Sequence, residues 1–235
     1  MSLDVKTPFR VFIGWDSREP EAYAVAAHSL QRHASVPVRV TPIKQEELRA
    51  RGLYRREGDP LASTEFTYTR FLTPLLAGFQ GYALFHDCDF LWTGDIAELL
   101  AQIDPAKAVS CVQHDHRPPE TTKMDNAVQT TYPRKNWSSL MLFNCAHPSV
   151  RKLDAETVNT QTGAYLHRMQ WAGDDEIGAI GESWNWLEGW SQAAPGDIPK
   201  VIHYTRGGPW FPQWQDVAFA DLWREEWRRA REAGY

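Results

Sequence analysis

Short apolar runs alternate with helical stretches along most of this chain. That order points to an α/β fold, a central and mostly parallel sheet flanked by helices, whose ligand crevice lies beyond the C-terminal ends of the strands. Residues 9–15 (FRVFIGW) are an apolar, β-branched run that stops at Gly14. The polar segment Asp16-Ser17-Arg18-Glu19-Pro20 leads into an alanine-rich helix reaching His33, with Ser17 as a candidate cap and Pro20 where a first-turn proline is tolerated. A strand over 38–43 and a helix over 45–51 complete a βαβ opening. Residues 66–76 (FTYTRFLTPLL) carry apolar side chains at roughly helical spacing. Strands are expected at 82–85, 109–112, 139–143 and 200–203, and Asp95 is placed to cap a helix over 96–102. After Asp154 the chain reads as helical and tryptophan-rich, and it closes in a helix over 219–233.

The strand at 82–85 ends in His86-Asp87-Cys88-Asp89. In an extended segment side chains alternate, so Asp87 and Asp89 share a face while Cys88 points to the other. Two hard carboxylates converging at a buried strand end repel each other unless a cation or a base joins them. Oxygen ligands with open positions suit Mg²⁺ or Mn²⁺. Further along, His203 stands in IHYTRGGPWF, where Gly207-Gly208 would permit close approach of backbone to a ligand. A neutral imidazole there could add a third ligand, or His203 could be a satisfied histidine beside a glycine turn. Arg206 and Lys200 could offset charge on a departing phosphate, or be surface cations.

A net charge of -5 gives no general attraction to nucleic acid, so an anionic ligand has to be held locally. No apolar run approaches the ~20 residues needed to span a bilayer, and residues 1–10 lack the apolar stretch of a signal peptide, so the expected address is cytoplasmic. Cys88, Cys111 and Cys145 are odd in number and show no zinc-site spacing, which suggests neither a disulfide framework nor a zinc site. In the closing helix (DLWREEWRRAREAG) the four Arg are balanced by one Asp and three Glu. An ordinary packed helix is therefore favoured over a membrane-surface one, with peripheral membrane contact left open. Residues 114–134 form a polar excursion of a length usual for ligand-covering loops, and it carries Lys123 as another candidate cation. Trp184, Trp186, Trp190 and Trp210 are candidates for stacking on sugar faces, with burial in the core favoured for most.

Taken together, the Asp-containing loop after the first strand, the S/T-x-x-x-x-Y-x-R stretch from Ser63 to Arg70, the apolar strand ending in DxD and the late HY…GG-PW resemble the retaining glycosyltransferases of family 8. Glycogenin and the bacterial lipooligosaccharide galactosyltransferases belong to that group. The resemblance runs from about Arg10 to Phe211 and implies a GT-A type nucleotide-sugar-binding domain over 1–235, with the catalytic core at about 10–211 and a closing helix at 212–235.

It further implies that Asp87, Asp89 and His203 bind Mn²⁺ (or Mg²⁺) under the donor diphosphate, and that Asp16 with neighbours such as Ser17 contacts uridine. Tyr68 and Arg70 match the Tyr-x-Arg whose arginine reaches toward the donor sugar, and Asn136 and Ser138 match a segment lining that sugar. Asp174-Asp175 resembles the family's D-Q pair, which makes Asp174 a ligand of sugar hydroxyls and Asp175 a candidate nucleophile or a water-binding acid, or else marks a register displaced by one. HYTRGGPW is one residue shorter than the family's H-x-x-G-x-x-K-P-W and lacks its lysine, so Arg206 beside Gly207 and Gly208 is the candidate for that charge. The expected activity is metal-dependent transfer of a hexosyl group from a nucleoside diphosphate sugar, a UDP-hexose by the resemblance, to a saccharide or other hydroxyl acceptor. Two alternatives stand beside it: an inactive nucleotide-sugar or glycan-binding protein, and a haloacid-dehalogenase-like phosphotransferase. The latter fits less well, because a βαβ unit precedes the DxD and Leu91 stands where a hydroxyl residue is usual.

Overall fold

The computed structural model describes residues 7–59, 62–115 and 134–235. Nine strands and seven α-helices are formed among them: β1 (Phe9–Gly14), α1 (Pro20–His33), β2 (Val38–Ile43), α2 (Gln45–Ala50), α3 (Thr73–Leu76), β3 (Tyr82–His86), β4 (Phe90–Trp92), α4 (Ile96–Leu100), β5 (Val109–Val112), β6 (Leu140–Asn144), α5 (Ala155–Thr160), α6 (Gly163–His167), β7 (Ile177–Ile180), β8 (Trp186–Leu187), β9 (Val201–His203) and α7 (Ala220–Glu232).

A six-stranded sheet runs in the order β2-β1-β3-β6-β5-β7. Its pairings are parallel except on either side of β6, so five strands share one direction and β6 alone is reversed. Strands covered on both faces read as near-continuous apolar runs, and β3 (YALFH) and β6 (LMLFN) are of that kind, almost wholly buried. Three strands form a second small sheet in the order β4-β9-β8, backed by Val25, Leu91, Trp186, Ile202, Tyr204 and Trp223. The expected α/β class with a mostly parallel sheet is what the chain forms.

At the end of β1, Gly14 lets Phe66 lie across the strand: a Cβ there would meet the ring at 2.4 Å. Phe66 in turn supports the Arg70 guanidinium, 5.1 Å above its ring. Helix α7 closes against α1 through Glu226, which is buried and receives His28 at 2.7 Å and Arg32 at 2.7 Å.

Several local expectations are corrected. Ser17 does not cap α1, because its hydroxyl donates to Glu65 and α1 starts at Glu19 and Pro20 with no side-chain cap. Residues 66–76 wind as a 3-10 turn, Thr69–Leu72, followed by the single turn α3. Beyond Asp154 the chain is less helical than expected: α5 and α6 are short, and β7 and β8 follow. The tryptophan-rich composition hid those strands, since a two-residue strand such as β8 carries no period to read. The Asp95 cap is present, accepting from the Ala97 N–H at 2.9 Å. Most of the 114–134 excursion, with Lys123, lies outside the described residues.

Candidate metal centre

Asp87 follows β3 directly and Asp89 precedes β4, so the Asp-Cys-Asp turn links the two sheets. Its backbone is pinned on both sides: the Asp87 N–H donates to the Ser139 carbonyl at 2.9 Å, and the Asp89 carbonyl accepts from the Tyr204 N–H at 3.0 Å. Strand β4 pairs antiparallel with β9 in the register Phe90↔His203. A histidine more than a hundred residues further along the chain is thereby placed beside Asp89, with Nε2 3.3 Å from Asp89 Oδ2. One ligand atom from each of Asp87, Asp89 and His203 lies within 4.8 Å of the others. Cys88 faces the other way and is buried, as alternation requires, and burial pushes its thiol well above the ordinary range.

The imidazole is oriented from behind. Ser139 Oγ donates to the Asn136 carbonyl at 2.6 Å, so it accepts from Asn185 Nδ2 at 2.8 Å. Asn185 therefore presents Oδ1 to His203 Nδ1, 2.8 Å away. A proton on Nδ1 completes that bond and leaves the Nε2 lone pair directed at the Asp89 side. Two carboxylates and one imidazole nitrogen are a donor set that fits Mn²⁺ or Mg²⁺. Asn185 and His203 are both buried, and nothing in the sequence singles out Asn185.

Arg70, also buried, donates from Nη1 to Asp87 Oδ1 at 2.7 Å and to the Ser138 carbonyl at 3.0 Å. Its guanidinium stands over Phe66 and Phe85. The charge expected to reach a donor sugar thus also fixes one Asp87 oxygen. Glu19, whose sequence context gives no such signal, is buried at 2% exposure within reach of the Asp89 and Asp16 charges. Burial, followed by the Asp89 and Asp16 charges, pushes its carboxyl up to about 8. His86 is buried too, stacked on Phe90, and burial pushes its imidazole down to about 4.

Other expected contacts are placed differently. Asp16 is fully buried, and its carboxylate accepts four N–H groups: the Arg18 backbone, Arg18 Nε and Nη2, and the Glu65 backbone. Burial alone would raise Asp16, but these bonds outweigh it and hold the group below the usual carboxylate range. These four bonds hold the β1–α1 loop together around Asp16. Tyr68 donates to Asp59 and lines a cavity of about 240 Å³ with Arg18, Gln45, Arg49 and Tyr54 near the end of β2. The Ser138 hydroxyl meets His167 Nδ1 at 2.8 Å. Asn136, in the left-handed region at φ 64°, keeps a buried Nδ2 without a partner among the described residues.

Arg206 is paired with buried Glu188 at 2.8 Å and lies over Trp214. Gly207, at φ 124°, and Gly208 are crowded by Trp214 and Trp210, so they make room for the protein's own rings. Asp174 and Asp175 are not brought to the centre. They precede β7, whose first residue Ile177 pairs with Val109, in line across the sheet with Phe143 and Ala83 and so at the end of the sheet opposite Asp87. Asp174 is 86% exposed beside Arg134, and Asp175 is exposed with its carbonyl held by Lys107.

No known protein-family model matches the chain. Protein CDI of Arabidopsis thaliana is 57% identical to it over 224 residues, covering 94% of this chain and 86% of that protein. The chain belongs to the protein CDI family. Among solved structures, this CDI-family chain superposes on the bifunctional glycosyltransferase WbbM with a TM-score of 0.66 at 16% identity, covering 97% of this chain and 50% of WbbM. The glycosyltransferase GlyE of Streptococcus pneumoniae gives 0.59 at 16% identity, covering 97% and 63%. The galactosyltransferase LgtC, solved with donor and acceptor sugar analogues, gives 0.58 at 12% identity, covering 94% and 96%. The chain therefore spans half of WbbM, just under two thirds of GlyE and nearly all of LgtC, and it has the GT-A glycosyltransferase fold. No helix among the described residues is long and apolar enough to cross a membrane.

Proposed function

We propose that the protein transfers a hexosyl group from a nucleoside diphosphate sugar, of the UDP class, to a hydroxyl of a saccharide acceptor, in a single catalytic unit. The observation that carries this reading is the convergence of Asp87, Asp89 and His203 within 4.8 Å at the C-terminal end of β3 in a GT-A sheet. In such sheets ligands sit beyond the C-terminal strand ends. When bound, Mn²⁺ or Mg²⁺ would supply Lewis-acid stabilisation of the diphosphate charge.

The chain's own residues do the rest. Arg70 and the paired backbone hold Asp87, and Asn185 holds His203 in the tautomer a cation needs. The amide of Asn136, whose Nδ2 has no partner among the described residues, would meet a polar group of the donor. In the transfer, the bond from the anomeric carbon to the diphosphate oxygen breaks and its electron pair leaves with the diphosphate. The acceptor hydroxyl oxygen forms the new bond, and its proton passes to the departing phosphate oxygen. No protein nucleophile is assigned, since Asp175 lies elsewhere.

The test is release of UDP from a panel of UDP-hexoses in the presence of Mn²⁺. Turnover of at least one donor that a chelator stops is expected. Release that ignores chelation, or hydrolysis of an aryl phosphate instead, contradicts the reading.

A further inference from the structure

Residues 206–218 leave the small sheet just after His203 and return just before α7, and both ends of this excursion close on one side chain. Glu188 is buried, and its Oε2 accepts from Arg206 Nη2 at 2.8 Å while its Oε1 accepts from the Ala218 N–H at 3.2 Å. The chain is shaped to hold that pair. Gly189, at φ 77°, lies against the guanidinium, where a Cβ would stand 2.0 Å from Arg206 Nη2, and the Trp214 ring covers it at 5.1 Å. The excursion is tied within itself as well, by the Phe211 N–H to the Gly208 carbonyl at 2.9 Å and by Gln215 Nε2 to the Pro209 and Phe211 carbonyls at 2.7 and 3.0 Å. It is a strap with a closed neck.

The neck adjoins the metal centre through backbone. The Glu188 N–H donates to the His203 carbonyl at 2.9 Å, and the Tyr204 N–H donates to the Asp89 carbonyl at 3.0 Å. His203 is thus held between the chain at Asp89 and the residue that closes the strap. Trp210 of the strap lies edge-on to Tyr204, with ring centroids 5.9 Å apart. A displacement of Glu188 is therefore passed to His203.

Arg206 is the residue that the sequence offers for the charge beside a departing phosphate. Moving to a phosphate would strip Glu188 of its cation, and a buried charge left without its partner costs far more than the loss of both partners. With 5% of its side chain exposed, Glu188 has little water to turn to. Arg206 Nε, which has no hydrogen-bond partner among the described residues, is the atom that speaks for the phosphate role.

We propose that Glu188 and Arg206 are positioning residues, a permanent clasp that closes the 206–218 strap and thereby fixes His203 as a metal ligand, and that Arg206 does not pair with the donor diphosphate. The inference rests on the metal-dependent glycosyltransferase reading and refines it, since the cation, rather than Arg206, then carries the diphosphate charge.

The test is calorimetry of Mn²⁺ alone, and of UDP at saturating Mn²⁺, on the wild type, Arg206→Gln and the Glu188→Gln/Arg206→Gln double variant. Arg206→Gln strands the buried carboxylate behind His203, and is expected to weaken Mn²⁺ binding about tenfold, the scale of partners behind a ligating histidine. The double variant leaves no buried charge unpaired, and is expected to recover most of that loss and to bind UDP nearly as the wild type does. A mere loss of packing at Arg206 would not be recovered by a second substitution. Where Arg206→Gln does not fold, the double variant alone decides. UDP binding near the wild-type level supports the clasp, and its loss at saturating Mn²⁺ overturns the clasp in favour of a direct phosphate contact. Unchanged Mn²⁺ affinity in Arg206→Gln overturns it as well. A wild type that binds neither Mn²⁺ nor UDP overturns the glycosyltransferase reading, and the role of the clasp at the metal with it.

Discussion

Asn185 Oδ1 lies 2.8 Å from His203 Nδ1, and the same amide donates to Ser139 Oγ at 2.8 Å. This arrangement decides which imidazole nitrogen keeps its lone pair, and it links the third candidate ligand to the backbone carbonyl of Asn136 through Ser139. Partners behind a ligating histidine are typically worth 10- to 100-fold in metal affinity. Asn185→Ala is therefore expected to weaken Mn²⁺ binding at least about tenfold by calorimetry, and Asn185→Asp, which still accepts from Nδ1, less so. Equal affinities in all three proteins would remove Asn185 from the centre.

How much of this was legible depended on how local each signal is. The Asp87 and Asp89 pair was legible because a buried strand and its alternation are written in consecutive residues. His203 was open to two readings, because only the β4–β9 register, set by distant backbone pairing, puts it beside Asp89. Asn185 and Glu19 left no signal: one stands between tryptophans and the other looks like an ordinary acidic helix start. The Asp174-Asp175 motif matched by residue type, but β7 begins at the far end of the sheet, and a motif does not state which end of a strand it occupies.

Arg70 and Asp87 form a pair whose side chains are 7% and 13% exposed. Removing the cation leaves a poorly solvated carboxylate, at a cost of about 3 kcal/mol. Arg70→Ala should lower the denaturation midpoint accordingly, and Mn²⁺ should raise that midpoint more in the variant than in the wild type. An equal Mn²⁺ response would show that the pair and the cation site are independent.

Glu19 has a carboxyl raised from 4.5 to about 8, with burial as the main cause. The folded chain then holds a proton that the unfolded chain releases, so Glu19 makes stability fall as pH rises from about 4.5 to about 8. Glu19→Gln lacks that loss. Its stability relative to the wild type should grow between pH 5 and pH 8, as read from urea midpoints. Parallel curves for the two proteins would contradict the placement of Glu19.

Asp174→Ala and Asp175→Asn change exposed side chains away from the centre, and each should shift stability by less than about 0.5 kcal/mol. Neither should alter Mn²⁺-dependent UDP binding or turnover. A loss of turnover with binding intact in Asp175→Asn would return that residue to the reaction.

In the proposed function Asp87 and Asp89 hold a cation that in turn holds a nucleoside diphosphate. Calorimetric titration of UDP, with and without Mn²⁺, into the wild type and the Asp87→Ala/Asp89→Ala variant tests it most directly. Binding that requires Mn²⁺ in the wild type and vanishes in the variant is the predicted result. UDP binding that is independent of Mn²⁺, or unchanged in the variant, would contradict it.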